Sequence, residues 1–383
     1  MRFLYVAPRY HTNQMCMMKG LIERGDEVRF ISHYRAIFED YSYVEPIVLG
    51  YSPLYNLFDS FYMKVLHRND LNAAGFKIQH GFPPIRKLAG IVREFKPDVV
   101  ILREKSLYSI VAYQICKKQG AACILYNQKP MWGEPEKNDL AHRLVNKLSP
   151  SMRMTPVMGT PGQGKAICGN AFFIPFVAEP QTSPTERTYF AEGKIRLLCI
   201  GKYIVRKHHL EMLEAVDKLR GKYPIHLTLA GEATTRFQKE YLARVKNYIK
   251  DHQMEDCVEV LVNVARKDMD EEYKKADVCV IPSTDEPASV SQLEAMSFSL
   301  PVICSDANGG ACYVEDGITG YHFMDCDQED LERKLDLLLS DKDKMCDMGA
   351  AGYRAVIEKY GFERYYNGIM EIVEKIKTDR KMS

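Results

Sequence analysis

The chain has 383 residues, 46% of them hydrophobic and 27% charged, and a formal net charge of +1. That is enough chain for two domains with cores of their own, and the composition is that of a folded protein rather than a disordered one. The opening MRFLYVAPRY gives only a short apolar run before charge, and no other stretch is long and apolar enough for a bilayer, so neither a signal peptide nor a membrane span is expected.

The eleven cysteines form no CxxC pair and no Cys/His cluster at zinc-ligand spacing. This predicts reduced thiols in a cytoplasmic protein, with Cys199, Cys279 and Cys304 as small core residues in strands and with no disulfide and no metal. The net charge hides an asymmetry. Residues 1–178 carry 23 Lys and Arg against 14 Asp and Glu, a balance of +9, and the remainder carries 29 against 37, a balance of −8. A basic first half suits an anionic partner such as a lipid surface or a phosphorylated acceptor, though solvated charge spread by chance explains it equally well. No compact basic run interleaved with aromatics suggests nucleic acid.

In chain order, strand and helix patterns alternate throughout, the signature of parallel sheets covered by helices. FLYVAP predicts a strand, Asn13 to Arg24 a helix and EVRFIS a strand. IRKLAGIVREFK has helical period, PDVVILRE reads as a buried strand, SIVAYQICKKQG as a helix ending at Gly120, and AACILYN as the next strand. SPLYNLFDSFYMKVLH, residues 52–67, gathers Leu, Phe, Tyr and Met. An interfacial or acceptor-binding helix is one reading, but an apolar face packed into the core is the commoner outcome and the one expected. GTPGQGKA, Gly159 to Ala166, imitates a phosphate loop but has Ala166 where a magnesium ligand belongs and no long helix after it, so a surface loop is expected. No GxGxxG follows a strand, which argues against a nicotinamide dehydrogenase.

The boundaries predicted are a first domain over 1–178, a Pro/Thr-rich linker over 179–193, a second domain over 194–360, and a last helix over 361–383 that could cross back to the first domain. The second domain repeats the alternation from IRLLCIG to PVICSD, followed by helices from about Asp327.

The chemistry concentrates in IPSTDEPASVSQLEA. A buried strand ends near Pro282, a loop holds Asp285 and Glu286, and a helix begins near Ser289. Ser289 with Gln292 fits a capping box that would leave the amides near Ser289 and Val290 facing a phosphate. Glu286 and Glu294 would then offer carboxylates to vicinal hydroxyls. After IRLLCIG, Gly201 is followed by Lys202 and Lys207, fixed cations suited to a diphosphate leaving group. Taken singly, each of these is as readily a surface charge.

Together they resemble the retaining glycosyltransferases of the two-domain GT-B fold, in particular family 4, the glycosyl transferases group 1. Glu286 and Glu294 match its E-x7-E element, within Pro282-Ser283 before and Glu294-Ala295-Met296 after, then LPVICSDANGG and YVEDGITGYHF, from Ile281 to Phe323, with weaker matches at GKYIVRK and LTLAGE. The resemblance implies two Rossmann-like doubly wound α/β domains facing a central cleft. It implies that Glu294 binds the donor ribose, Glu286 contacts the transferred sugar, and Lys202 and Lys207 hold the diphosphate of a nucleotide-sugar donor, UDP-linked and without metal. Gly231, Asn263 and Val264 would border the base. Where Lys202 stands the family usually has arginine, and Pro287, Ala288 and Ser289 replace a common Gly-Phe-Gly. Ala mutants are expected to separate the carboxylates: Glu294→Ala weakens donor binding, and Glu286→Ala slows transfer.

The first domain matches poorly. PRYHTNQ replaces a Gly-Gly loop, leaving His11, Thr12 and Asn13 as candidates for phosphate or acceptor. LYNQKP offers Asn127 and Gln128 where a histidine is usual; His80 is a further candidate, with a capping role more common for a lone histidine. The resemblance further implies a glycan or lipid-linked acceptor in cell-envelope synthesis, at the inner face of the membrane. A donor-binding subunit with weak turnover is the alternative, and a sugar-nucleotide epimerase a more distant one.

Overall fold

A computed structural model describes residues 1–36, 39–65, 73–104, 106–133, 140–159, 165–166 and 170–382. The chain divides into two compact units, residues 1–175 with 362–383, and residues 176–361.

The first unit runs β1 (Arg2–Ala7), α1 (Met15–Glu23), β2 (Glu27–Ser32), β3 (Ile47–Val48), α2 (Pro53–Val65), α3 (Ala73–His80), α4 (Ile85–Phe95), β4 (Val99–Arg103), α5 (Leu107–Lys118), β5 (Ala122–Tyr126), β6 (Trp132–Gly133), α6 (Leu140–Leu148), β7 (Arg153–Thr155), β8 (Lys165–Ala166) and β9 (Ala171–Phe173). Its sheet is parallel in the order β3-β2-β1-β4-β5-β7-β9. The inner strands are apolar on both faces because helices cover both, and Leu4, Val6, Val100 and Leu102 are buried against Leu88, Val92 and Ala112 of α4 and α5. The Ser106 hydroxyl caps α5 by accepting from Ser109 N at 3.0 Å.

The second unit runs β10 (Ile195–Ile200), α7 (His209–Leu219), β11 (Ile225–Gly231), α8 (Arg236–Asp251), β12 (Val258–Val262), α9 (Arg266–Lys275), β13 (Val278–Ile281), α10 (Ser291–Ser297), β14 (Val302–Ser305), β15 (Gly320–Phe323), α11 (Gln328–Leu339) and α12 (Lys342–Lys359). Its sheet is parallel in the order β12-β11-β10-β13-β14-β15. Cys199, Cys279 and Cys304 lie buried in β10, β13 and β14, as strand composition predicts. In both sheets the order reverses beside the first strand, between β1 and β4 and between β10 and β13, which is where a doubly wound sheet opens a crevice at its carboxyl edge.

The last helix, α13 (Phe362–Met382), belongs to the first unit. Tyr365 exchanges a hydroxyl bond of 2.8 Å with Tyr5, and Arg380 donates to Gly120 O and Ala121 O. The segment 179–193, expected as a linker, is fastened to the second unit. Gln181 N and Thr182 N donate to Ser297 O, and the buried Arg187 guanidinium donates to the Phe298, Tyr273 and Ala276 carbonyls. Its Pro and Thr content reflects irregular backbone rather than freedom. Of the false phosphate loop, residues 160–164 lie outside the described residues; Lys165–Ala166 pairs antiparallel with Trp132–Gly133.

The expectation for residues 52–67 is overturned over the described part, since α2 turns its apolar side outward. Tyr55 and Asp59 face the protein, through ring contact with Tyr51 and an ion pair of 2.8 Å with Lys77, while Leu54, Leu57, Phe58 and Phe61 are exposed.

Two buried histidines make stability depend on pH. Burial pushes His33, stacked on Tyr108, down to about 4, and burial does the same to His209, stacked on Tyr203. An unfolded histidine titrates near ~6.5, so between there and the folded value the unfolded chain binds more protons and stability is lost as pH falls. The thermal midpoint is therefore expected to drop on acidification across that window. His33→Phe, which keeps a ring against Tyr108, should make the drop shallower; an unchanged slope would contradict the assignment.

Candidate functional site

At the carboxyl edge of the second sheet, the loops after β10, β11 and β13 meet with little room. A Cβ on Gly231 would sit 2.0 Å from Gly201 O, and one on Gly201 would press on the Lys207 stem at 2.9 Å. Glycine at both places lets the backbones touch and lays the Lys207 side chain along the end of β10. Lys207 and its neighbour Arg206 both donate to Glu286 Oε2, Arg206 Nη1 at 2.6 Å. Among the described residues no hydrogen bond reaches Glu286 Oε1. Burial alone would raise the Glu286 carboxyl, but Lys207 and Arg206 outweigh it and hold it below the usual carboxylate range, so it is ionised at neutral pH.

The loop carrying Glu286 is clamped from both sides. Thr284 N donates to Arg206 O at 3.0 Å, and Gly309 N donates to Glu286 O at 2.8 Å. A Cβ on Gly309 would fall 2.0 Å from Pro287 O, which explains a glycine at that spot in the DANGG stretch. Asp285 takes a left-handed turn at φ 48° just before Glu286.

Glu294 lies on α10 and belongs to a second cluster. Arg266 Nη2 donates to its Oε1 and the Tyr273 hydroxyl to its Oε2, each at 3.0 Å. The Glu294 carboxylate, ahead of an opposing burial effect, pushes the Arg266 guanidinium pKa up. The two clusters connect through the buried Gln292, whose Nε2 donates to Asn308 Oδ1 at 3.1 Å while Asn308 Nδ2 donates to Ser283 Oγ at 2.9 Å. The expected capping box is therefore absent. α10 starts at Ser291, so Ser289 is one residue outside the N-cap Val290 and its hydroxyl accepts from Ser291 N at 3.3 Å, while Gln292 turns into the core.

Of the remaining predicted residues in this unit, Lys202 does not join Glu286; its Nζ pairs with Glu232 Oε2 at 2.9 Å. Asn263 adopts φ 57°, donates from its backbone to Gly231 O at 2.8 Å and accepts at Oδ1 from Ala233 N at 2.9 Å, which joins the ends of β11 and β12 beside Val264. Arg206, Arg266 and Tyr273 were not foreseen. Arg206 was legible as a second cation beside Lys207, whereas nothing in the spacing ties α9 to Glu294.

In the first unit His11 and Asn13 follow β1, where His11 N donates to Gln14 Oε1 at 2.9 Å and the side chain meets Arg9. Asn127 and Gln128 follow β5. Asn127 is held at both ends of its amide, donating to Glu104 Oε2 at 2.6 Å and accepting from Lys129 N at 3.0 Å, and Gln128 Oε1 accepts from Arg103 at 3.2 Å. The partner of Asn127, the buried Glu104, also pairs with Arg153 Nε at 2.7 Å. His80 lies on α3 with Nδ1 3.1 Å from Phe76 O, a local helix contact rather than part of this edge.

The carboxyl edge of the second unit's parallel doubly wound sheet gathers carboxylates against fixed cations. Residues 185–355, within the second unit, match the family described as Glycosyl transferases group 1. Mannosylfructose-phosphate synthase of Agrobacterium fabrum is 27% identical over 143 residues, 37% of this chain and 31% of that protein, so the chain spans about a third of that relative's length. The fold extends further than the sequence match. A glycosyltransferase from Rickettsia africae superposes with a TM-score of 0.70 at 14% identity, covering 98% of both chains. Anabaena Alr3699/HepE, solved with UDP and glucose, does so with 0.67 at 13%, covering both chains entirely. The architecture is GT-B.

Glu294→Gln keeps an acceptor for the Tyr273 hydroxyl but removes the charge that Arg266 answers. Loss of a charge-assisted bond costs about 1.5–3 kcal/mol, so nucleotide affinity should fall roughly tenfold or more with kcat little changed. Calorimetry beside steady-state kinetics checks this, and an unchanged Kd would remove Glu294 from the binding site.

Proposed function

We propose that this protein transfers a sugar from a nucleoside-diphosphate donor, UDP-linked, to a hydroxyl of a glycan or lipid-linked acceptor, with retention at the anomeric carbon. The observation that carries the reading is the Glu286 carboxylate fixed through one oxygen by Lys207 and Arg206, with no hydrogen bond to the other oxygen among the described residues, at the switch point of the second sheet.

In this reading the two cations face the diphosphate on one side and Glu286 on the other. They stabilise charge growing on the leaving phosphate, and Glu286 Oε1 lies toward the sugar, where it favours the positive charge that develops at the anomeric carbon. Glu294, steered by Arg266 and Tyr273, accepts from the ribose hydroxyls. The departing phosphate oxygen takes the acceptor proton on the same face, so retention follows from positioning and electrostatics, and fixed cations do the work a divalent ion would otherwise do. The bound UDP and glucose of Alr3699/HepE, on the same fold, support the choice of donor class. The basic first unit supports an anionic or lipid-linked acceptor.

A second reading, a donor-binding subunit with weak turnover, has one observation behind it: Asn127, the amide nearest to a sugar-contact role in the first unit, is spent on Glu104 and Lys129. Incubation with UDP-, GDP- and ADP-sugars and mixed glycan acceptors separates the two. Nucleotide release matched by sugar transfer supports the enzyme, and saturable donor binding without release supports the subunit.

A further inference from the structure

The described residues of the first unit leave large apolar side chains in water where a helix of this pattern ordinarily buries them. On α2, Leu54, Leu57, Phe58 and Phe61 recur at the i, i+3, i+4, i+7 spacing of a core-facing stripe, yet they are 78%, 71%, 54% and 60% exposed. Among the described side chains of α2, those turned to the protein are Tyr55 and Asp59. On α6, Leu140 and Leu144 are 78% and 57% exposed, Leu148 continues the row at the next turn, and the exposed Arg143 and Lys147 stand one position before Leu144 and Leu148.

The two helices lie on one side of the sheet. α3, ion-paired to α2 through Lys77 and Asp59, packs on α5, and α6 packs on α5 as well. Scattered exposed leucines would need no explanation, but two amphipathic helices linked through α5, each with an apolar stripe in water, do.

We propose that this face docks onto an anionic lipid surface, with the α2 and α6 stripes sunk into the boundary between headgroups and acyl chains and Arg143 and Lys147 at the headgroups. Charge selects this occupant. Residues 1–178 carry a balance of +9, and basic side chains border the leucines of α6, the arrangement of an interfacial helix rather than of a protein-protein core, where lysine is depleted. No described helix is long and apolar enough to cross a membrane, so the contact is with one leaflet. It would present the first unit to acceptors that reside in lipid, but the inference does not depend on the donor reading.

The test is sedimentation of the full chain with vesicles of phosphatidylcholine alone and of phosphatidylcholine mixed with phosphatidylglycerol. The chain should partition onto the mixed vesicles and come off as salt is raised. Leu57→Ser with Phe61→Ser and Leu144→Ser should lower that partition at least about tenfold, and Arg143→Gln with Lys147→Gln should lower it roughly tenfold on the mixed vesicles only. Because the replaced side chains are exposed, the variants should keep the wild-type thermal midpoint, and their nucleotide affinity, measured on the same preparations, should not move. Wild type that ignores both vesicles, variants that partition as wild type does, or a dimer that the serine variant turns into a monomer would each overturn the proposal, the last by assigning the face to a second copy.

Discussion

Glu286→Gln should lower kcat for sugar transfer by about 10²–10³-fold while changing nucleotide affinity by no more than roughly threefold. Glutamine has nearly the shape of the carboxylate, so the clamp made by Gly309 N and Thr284 N on the surrounding loop stays in place. What goes is the negative charge. In the free protein Glu286 is ionised because Lys207 and Arg206 outweigh its burial. A neutral amide gives a developing cation at the anomeric carbon nothing to answer it, and the loss falls on the transition state rather than on the bound donor. Kinetics at saturating donor, with Kd from calorimetry, read the two effects separately. A variant that loses affinity and keeps kcat would place Glu286 on the nucleotide instead of on the reacting sugar.

Lys207→Ala is expected to act on both. Its ammonium is nearly buried, so its charge is weakly screened and strongly felt by a diphosphate. Removing one charge-assisted contact weakens nucleotide binding by about 2 kcal/mol, roughly thirtyfold, and because the leaving phosphate gains charge during transfer, kcat/KM should fall further, by about 10²–10³-fold. Lys207→Arg should recover part of both losses, since the charge returns on a differently shaped head. Lys202→Ala should do much less, because Lys202 pairs with Glu232 and stands half in water. Equal losses for Lys202→Ala and Lys207→Ala would mean that the cations act as diffuse charge and not through the placement described.

The contrast between these lysines marks how far the sequence could be read. The doubly wound class, the buried strands and the E-x7-E pair were legible because each rests on a local signal: alternation of apolar runs, or carboxylates at a fixed spacing. Lys202 and Lys207 looked alike because a basic loop after a strand carries no mark of direction. Only the close approach of Gly201 to Gly231 and to the Lys207 stem separates them, and that is a tertiary fact. Arg266 reaches Glu294 from a helix 28 positions upstream, a pairing no period announces. The Ser289–Gln292 spacing imitated a capping box, but burial of Gln292 against Asn308 claimed the amide first. α2 misled for the opposite reason. Its amphipathic period was real, but period says that one face is apolar and is silent on what that face meets.

Titration of UDP alone, with no sugar and no acceptor, into the full chain and into Lys207→Ala bears most directly on the central claim, that the carboxyl edge of the second sheet is built to grip a nucleoside diphosphate. Saturable one-to-one binding is expected, weakened roughly thirtyfold by the substitution. Binding that is absent, or that proceeds equally well without the Lys207 ammonium, would contradict it.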